Sequence, residues 1–110
     1  MTLPTQAILW TLLHYDPLTG KLRWRPRPQS MFSNHRAYAT WNARYAGHEA
    51  FTSVDRKGYR VGAIFGVNYR AARVIYKWAH NVNADQVDHI DGDRQNNVLS
   101  NLRNVSGQTN

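Results

Sequence analysis

At 110 residues the chain has room for one modest core, and 42% hydrophobic with 19% charged residues describes a folded globular domain rather than a disordered one. The absence of cysteine excludes disulfide scaffolds, thiol nucleophiles and cysteine-ligated zinc. Lys and Arg outnumber Asp and Glu by 14 to 7, a formal charge of +7, so the expected partner is a polyanion, with nucleic acid ahead of an anionic membrane surface. The imbalance is local. Residues 1–84 hold 12 Lys or Arg against 3 Asp or Glu, whereas residues 85–110 hold 2 against 4. This predicts a basic nucleic-acid-binding region over 1–84 and a chemically different segment over 85–110, within one compact unit. The apolar run from Ala7 to Leu13 is interrupted by Thr11 and follows no basic stretch, so neither a membrane span nor a secretory signal is expected, and the location expected is cytoplasmic.

In chain order, Thr2 and Pro4 precede Ile8, Leu9, Leu12 and Leu13, spaced as one apolar helical face. Tyr15 to Gly20 carries turn chemistry, and Lys21 to Arg25 alternates like a strand that Pro26 and Pro28 stop. Residues 29–46 show no clean period and read as a loop or irregular helix. Two strand-like runs, Glu49–Val54 and Tyr59–Phe65, flank Asp55-Arg56-Lys57-Gly58, a good hairpin connection. Gly66-Val67-Asn68 ends the second run, and a helix is expected over Tyr69–His80. There Ala71, Val74, Ile75 and Trp78 form a packing face, while Arg70, Arg73 and Lys77 form a basic one.

Most of the aromatic residues interleaved with these charges are expected in the core, with a few free to stack on bases. Acidic and amide side chains concentrate after Val87. Asp88 offers a hard oxygen ligand to a divalent cation, and His89 can take a proton from water near neutral pH. On a regular strand the two point to opposite sides, so a shared site needs an edge or a distortion. A calcium loop does not fit, because Gly92 lies between Asp91 and Asp93 and no closing Glu follows.

The run Asp88-His89-Ile90-Asp91-Gly92-Asp93, followed by Asn96-Asn97, Ser100-Asn101-Leu102-Arg103 and Asn110, resembles the HNH endonucleases of phages and prophages, HNH homing endonucleases included. Tyr15-Asp16-Pro17, Thr19-Gly20, Leu22 with Trp24, Gly58-Tyr59 and Arg73 resemble the front half of such proteins. Ala72 stands where many relatives have His. The resemblance implies a small α+β domain with an N-terminal helix and β-hairpins, ending in a ββα-metal unit. In that unit Asp88-His89 ends one strand, the 96–105 stretch returns as the second, and Ser106 caps a helix bearing Asn110.

It further implies that His89 is the general base, that Asn101 holds the loop and orients the His89 ring, and that Asp88 and Asn110 ligate Mg²⁺ or Mn²⁺. Asn110 is the final residue, so its helix has barely one turn, and a chain cut short within that helix is one expectation. The implied substrate is double-stranded DNA, nicked or cut, with the chain a monomer or homodimer. The DNA contacts expected are Arg70, Arg73 and Lys77, then Arg36, Arg44, Arg56, Lys57 and Arg60. The alternative is a DNA-binding module that does not cleave; an RNA-binding module lacks its signature.

Overall fold

A computed structural model describes residues 2–106. Its α+β architecture has three helices and three small antiparallel sheets. Helix α1 (Gln6–Leu12) starts where the Thr5 hydroxyl accepts the amide of Ile8, and buries Leu9 and Leu12. The chain then turns directly into β1 (Leu13–Asp16), which pairs with β2 (Lys21–Trp24). The expected helix, turn and strand are therefore a helix followed by a hairpin. Asp16 organises the turn, its Oδ1 accepting from the Leu18 amide at 3.0 Å and its Oδ2 from the Thr19 hydroxyl at 3.0 Å.

The 29–46 stretch forms a 3-10 turn (Gln29–Met31) and a regular helix, α2 (His35–Tyr45), where an irregular segment was expected. Asn34 caps α2 by accepting the Ala37 amide at 2.8 Å. Tyr38, Trp41, Asn42 and Tyr45 recur at helical spacing, but the first three bury only partly and Tyr45 is exposed. The signal was aromatic and amide in character, so an aliphatic pattern search passes over it.

The run Glu49–Val54 is broken in two. Strand β3 (Glu49–Ala50) joins β2, and β4 (Ser53–Val54) joins β5 (Arg60–Ile64) in a different sheet. Phe51 makes the switch at φ 60°, with its ring against Gly62, where an added Cβ would lie 2.7 Å from Phe51 Cγ. Gly66 does not end the strand region either. Phe65 and Gly66, at φ 50° and 79°, form a two-residue turn, and the chain returns as β6 (Val67–Arg70) with Ile64 opposite Val67.

Helix α3 (Ala71–His80) therefore begins two residues later than expected, and Arg70 belongs to its preceding strand. Ala71, Val74 and Ile75 reach the core beside Leu9, Leu12, Leu13, Leu22 and Ile64. Lys77 is only 8% exposed, so the expected basic stripe is not a solvent face, because that side of α3 is also packed. The Trp78 carbonyl accepts from Gln6 Nε2 and Trp10 Nε1, fastening α3 to α1.

Candidate active site

The last hairpin is short. Strand β7 (Val87–His89) pairs with β8 (Leu102–Asn104), preceded by a 3-10 turn (Leu99–Asn101), so only the end of the 96–105 stretch is strand. Ser106 joins the strand ends, its hydroxyl accepting the Gln86 amide at 2.8 Å. The helix expected after it, and Asn110 with it, lie outside the described residues.

The connection between the strands is held by amides. Asn101 accepts the Asp91 amide at 2.9 Å, and its Nδ2 donates to Asp91 Oδ1 at 2.9 Å and to the Asn96 carbonyl at 2.8 Å. Asp91 also accepts from Asn96 Nδ2 at 2.8 Å. These donors hold the Asp91 carboxyl below its ordinary range, with the Asn96 amide the leading cause. The loop-holding role expected of Asn101 thus has its bonds, but the bond to the histidine ring comes from another residue. Asn97 Oδ1 lies 2.8 Å from His89 Nε2, both side chains being buried. An amide oxygen only accepts, so in the neutral ring this contact favours the tautomer with the proton on Nε2 and the lone pair on Nδ1.

Asn97 is positioned from far away in the sequence. The buried Tyr15 hydroxyl donates to its carbonyl at 2.7 Å, and burial raises the Tyr15 pKa. Gly20, at φ 75°, packs so closely that a Cβ would lie 2.5 Å from the Asn97 carbonyl carbon. The first hairpin therefore forms the floor of the loop that aims His89.

Asp88 and His89 both border a cleft of about 270 Å³ that Arg70, Ala72 and Arg73 also line. Tyr59 stands between them and the second sheet. Its ring centroid is 5.8 Å from that of His89, with the Arg70 guanidinium 3.9 Å over it and Arg94 4.9 Å over it. Arg94 donates to the Lys57 carbonyl, which brings the 55–58 turn against the 92–94 loop. Arg70 also pairs with Asp55 at 3.3 Å, and Arg103 pairs with Asp88 at 2.5 Å across the hairpin. Arg73 donates to the Ala84 carbonyl at 2.8 Å and approaches Asp85 at 3.9 Å, holding the segment that enters β7.

Of the other cations expected to face DNA, Arg56 and Lys57 are exposed on the turn nearest this cleft. Arg60 is half-buried and paired with Glu49 at 3.2 Å. Arg36 and Arg44 lie elsewhere, exposed on α2. Sequence reading missed Tyr59, Arg94, Asn97 and Arg103 as site residues. Asn97 and Arg103 lay within the quoted motif and Arg94 beside Asp93, and Tyr59 was quoted with Gly58, but no spacing rule connects Tyr59 to a strand 30 positions later.

Among the described residues no three His, Asp or Glu side chains converge on a metal-binding group. Asp88 and Asp85 are the carboxylates that line the cleft; one Asp88 oxygen faces Arg103, and Asp85 lies 3.9 Å from Arg73. That donor chemistry suits a hard divalent cation completed by substrate oxygens, not a preformed cage.

Residues 73–110 match the HNH endonuclease family. The HNH match covers about a third of the chain, from the third residue of α3 onward, and includes Asp88, His89, Asn97 and Asn101. Comparison with curated proteins and with solved structures gives no match. The likeness to HNH endonucleases therefore rests on residues 73–110, and that family suggests a nuclease acting on DNA. No helix among the described residues is long and apolar enough to cross a membrane.

Proposed function

We propose that this chain hydrolyses phosphodiester bonds of double-stranded DNA at the Asp88/His89 cleft in a reaction that needs a divalent cation. The observation that carries this reading is a buried histidine whose Nε2 is held by Asn97 Oδ1 in a cleft ringed by arginines. The lone pair on Nδ1 accepts a proton from water as the water oxygen attacks phosphorus. The P–O3′ bond then breaks, leaving a 5′-phosphate and, after protonation, a 3′-hydroxyl. Asp88, with Asn110, would hold Mg²⁺ or Mn²⁺, which when bound neutralises charge on the scissile phosphate and the departing oxygen. Arg70, Arg94 and the exposed Arg56 and Lys57 seat the flanking phosphates. Arg73 keeps its place in the contact set as a lining residue of the cleft, and Arg60 as a half-buried neighbour.

One such cleft per chain acts on one strand, so a monomer nicks and a pair of chains is required to cut both strands together. The test is a supercoiled-plasmid assay with Mg²⁺, Mn²⁺ or EDTA, comparing the chain with His89→Ala. Metal-dependent relaxation that the variant lacks supports the reading. Salt-sensitive binding without cutting, in the presence of either ion, would replace it with a DNA-binding module that does not cleave.

A further inference from the structure

We infer that a second nucleic-acid site, separate from the HNH cleft, receives an unpaired base of single-stranded DNA in the cleft walled by Trp24, Arg27, Trp41, Tyr45 and Phe65. This cleft has a volume of about 430 Å³. It lies at the far end of β5 from Tyr59, six residues away, or about 20 Å at strand rise.

Four observations point to that ligand. The Arg27 guanidinium lies 3.9 Å over the Trp41 ring, 5.2 Å from Trp24 and 5.5 Å from Phe65. An aromatic cage of this kind would suit a cationic ligand, but its cation seat is already filled by the chain's own arginine, so the visitor is a π face or an anion. Second, Arg27 Nε is buried and has no hydrogen-bond partner among the described residues. A buried donor left unpaired is costly, and a base carbonyl or phosphate oxygen entering this cleft brings the acceptor that is missing.

Third, Phe65 is 60% exposed and sits at φ 50°, a conformation unfavourable for a bulky side chain, at the tip of the β5–β6 hairpin. Holding a large ring into solvent on a strained backbone costs stability twice over, which is the pattern of a residue retained for contact. Fourth, Arg36 and Arg44 are exposed on the same helix as Trp41 and Tyr45, and Arg44 lies 5.3 Å over the Tyr45 ring. Aromatic platforms flanked by cations bind single strands by stacking bases while the cations follow the backbone.

The test uses the full chain, a fluorescein-labelled oligothymidylate of about 15 nucleotides and an abasic oligonucleotide with the same number of phosphates. Tryptophan quenching and anisotropy are read together. Phe65→Asn removes the ring and relaxes the backbone, since Asn tolerates positive φ, so it folds at least as well as the parent. The expected result is oligothymidylate binding with tryptophan quenching, weakened about tenfold by Phe65→Asn and by Arg27→Met and by loss of the bases. Binding is read in EDTA, where no cutting is expected, so loss of the nuclease reading leaves this one standing. Equal affinity for the abasic strand, or parental affinity in both cage variants, overturns the proposal and reduces the region to general phosphate attraction.

Discussion

Asn97 and His89 stand eight positions apart in the chain and 2.8 Å apart in space, and their bond fixes which ring nitrogen is free to take a proton. Removing that bond by Asn97→Ala leaves His89 in place but free to choose its tautomer. Single-turnover plasmid cleavage is expected to fall about 100-fold, the scale of a small misplacement of a reacting group. Asn97→Asp retains an acceptor and is expected to recover part of the rate, with a pH profile displaced upward because a carboxylate favours the imidazolium. Equal rates for the parent and Asn97→Ala would remove Asn97 from the positioning role.

The floor beneath Asn97 makes a remote effect measurable. Tyr15→Phe leaves the buried Asn97 carbonyl without its donor and is expected to cost about 1–3 kcal/mol in chemical denaturation. Gly20→Ala adds a left-handed backbone penalty of about 1–2 kcal/mol and a Cβ that cannot fit against Asn97. Both variants are expected to lose cutting activity before they lose affinity for DNA, although neither residue lies in the HNH match.

Exposure separates the cations. Arg94→Ala is expected to reduce the slope of log affinity for duplex DNA against log salt by about 0.9, one phosphate contact. Lys77→Met is expected to leave that slope unchanged, because Lys77, on α3, is buried. Anisotropy titrations at several salt concentrations distinguish the two, and an altered slope for Lys77→Met would restore the basic stripe.

Acid sensitivity follows from the loop carboxylates. Asp91 titrates below the ordinary value of 3.8, held down first by the Asn96 amide; Asp16 and Asp55 are lowered as well, chiefly by the backbone amides of Leu18 and Tyr59. Each group binds its proton less readily when folded, so its contribution is complete above the unfolded value near 3.8 and disappears as the pH falls through the lower folded one. Melting temperature is therefore expected to decline below about pH 4. Asp91→Asn should be less stable at neutral pH and respond less to acid, and identical acid curves for the two proteins would contradict the role of Asp91.

The motif residues were legible because their chemistry is dense and local. Asp88, His89, Asn96, Asn97 and Asn101 fall within 14 positions, and the strand ending at His89 stands where the motif implies. The first helix and the 55–58 turn were legible from apolar spacing and turn chemistry. What escaped were effects that depend on distant partners. Phe51 splits a run of strand-forming residues because its ring packs on Gly62, and Lys77 is buried although helical periodicity sets it apart from the apolar face. The α2 helix hid for a different reason, its inner face being aromatic and only half covered.

The division of labour around Asn97 bears on how such a segment travels between proteins. On the proposed reading, a transfer of residues 73–110 alone would carry Asp88, His89 and the amides of the loop, yet leave behind Tyr15 and Gly20, which pack on the Asn97 backbone, and Tyr59, whose ring stands beside the imidazole. A recipient would gain nuclease chemistry only if its own framework offered a hydroxyl donor and a side-chain-free surface at matching positions. On that reading the front of the chain would be as much a part of the reaction's geometry as of the grip on DNA.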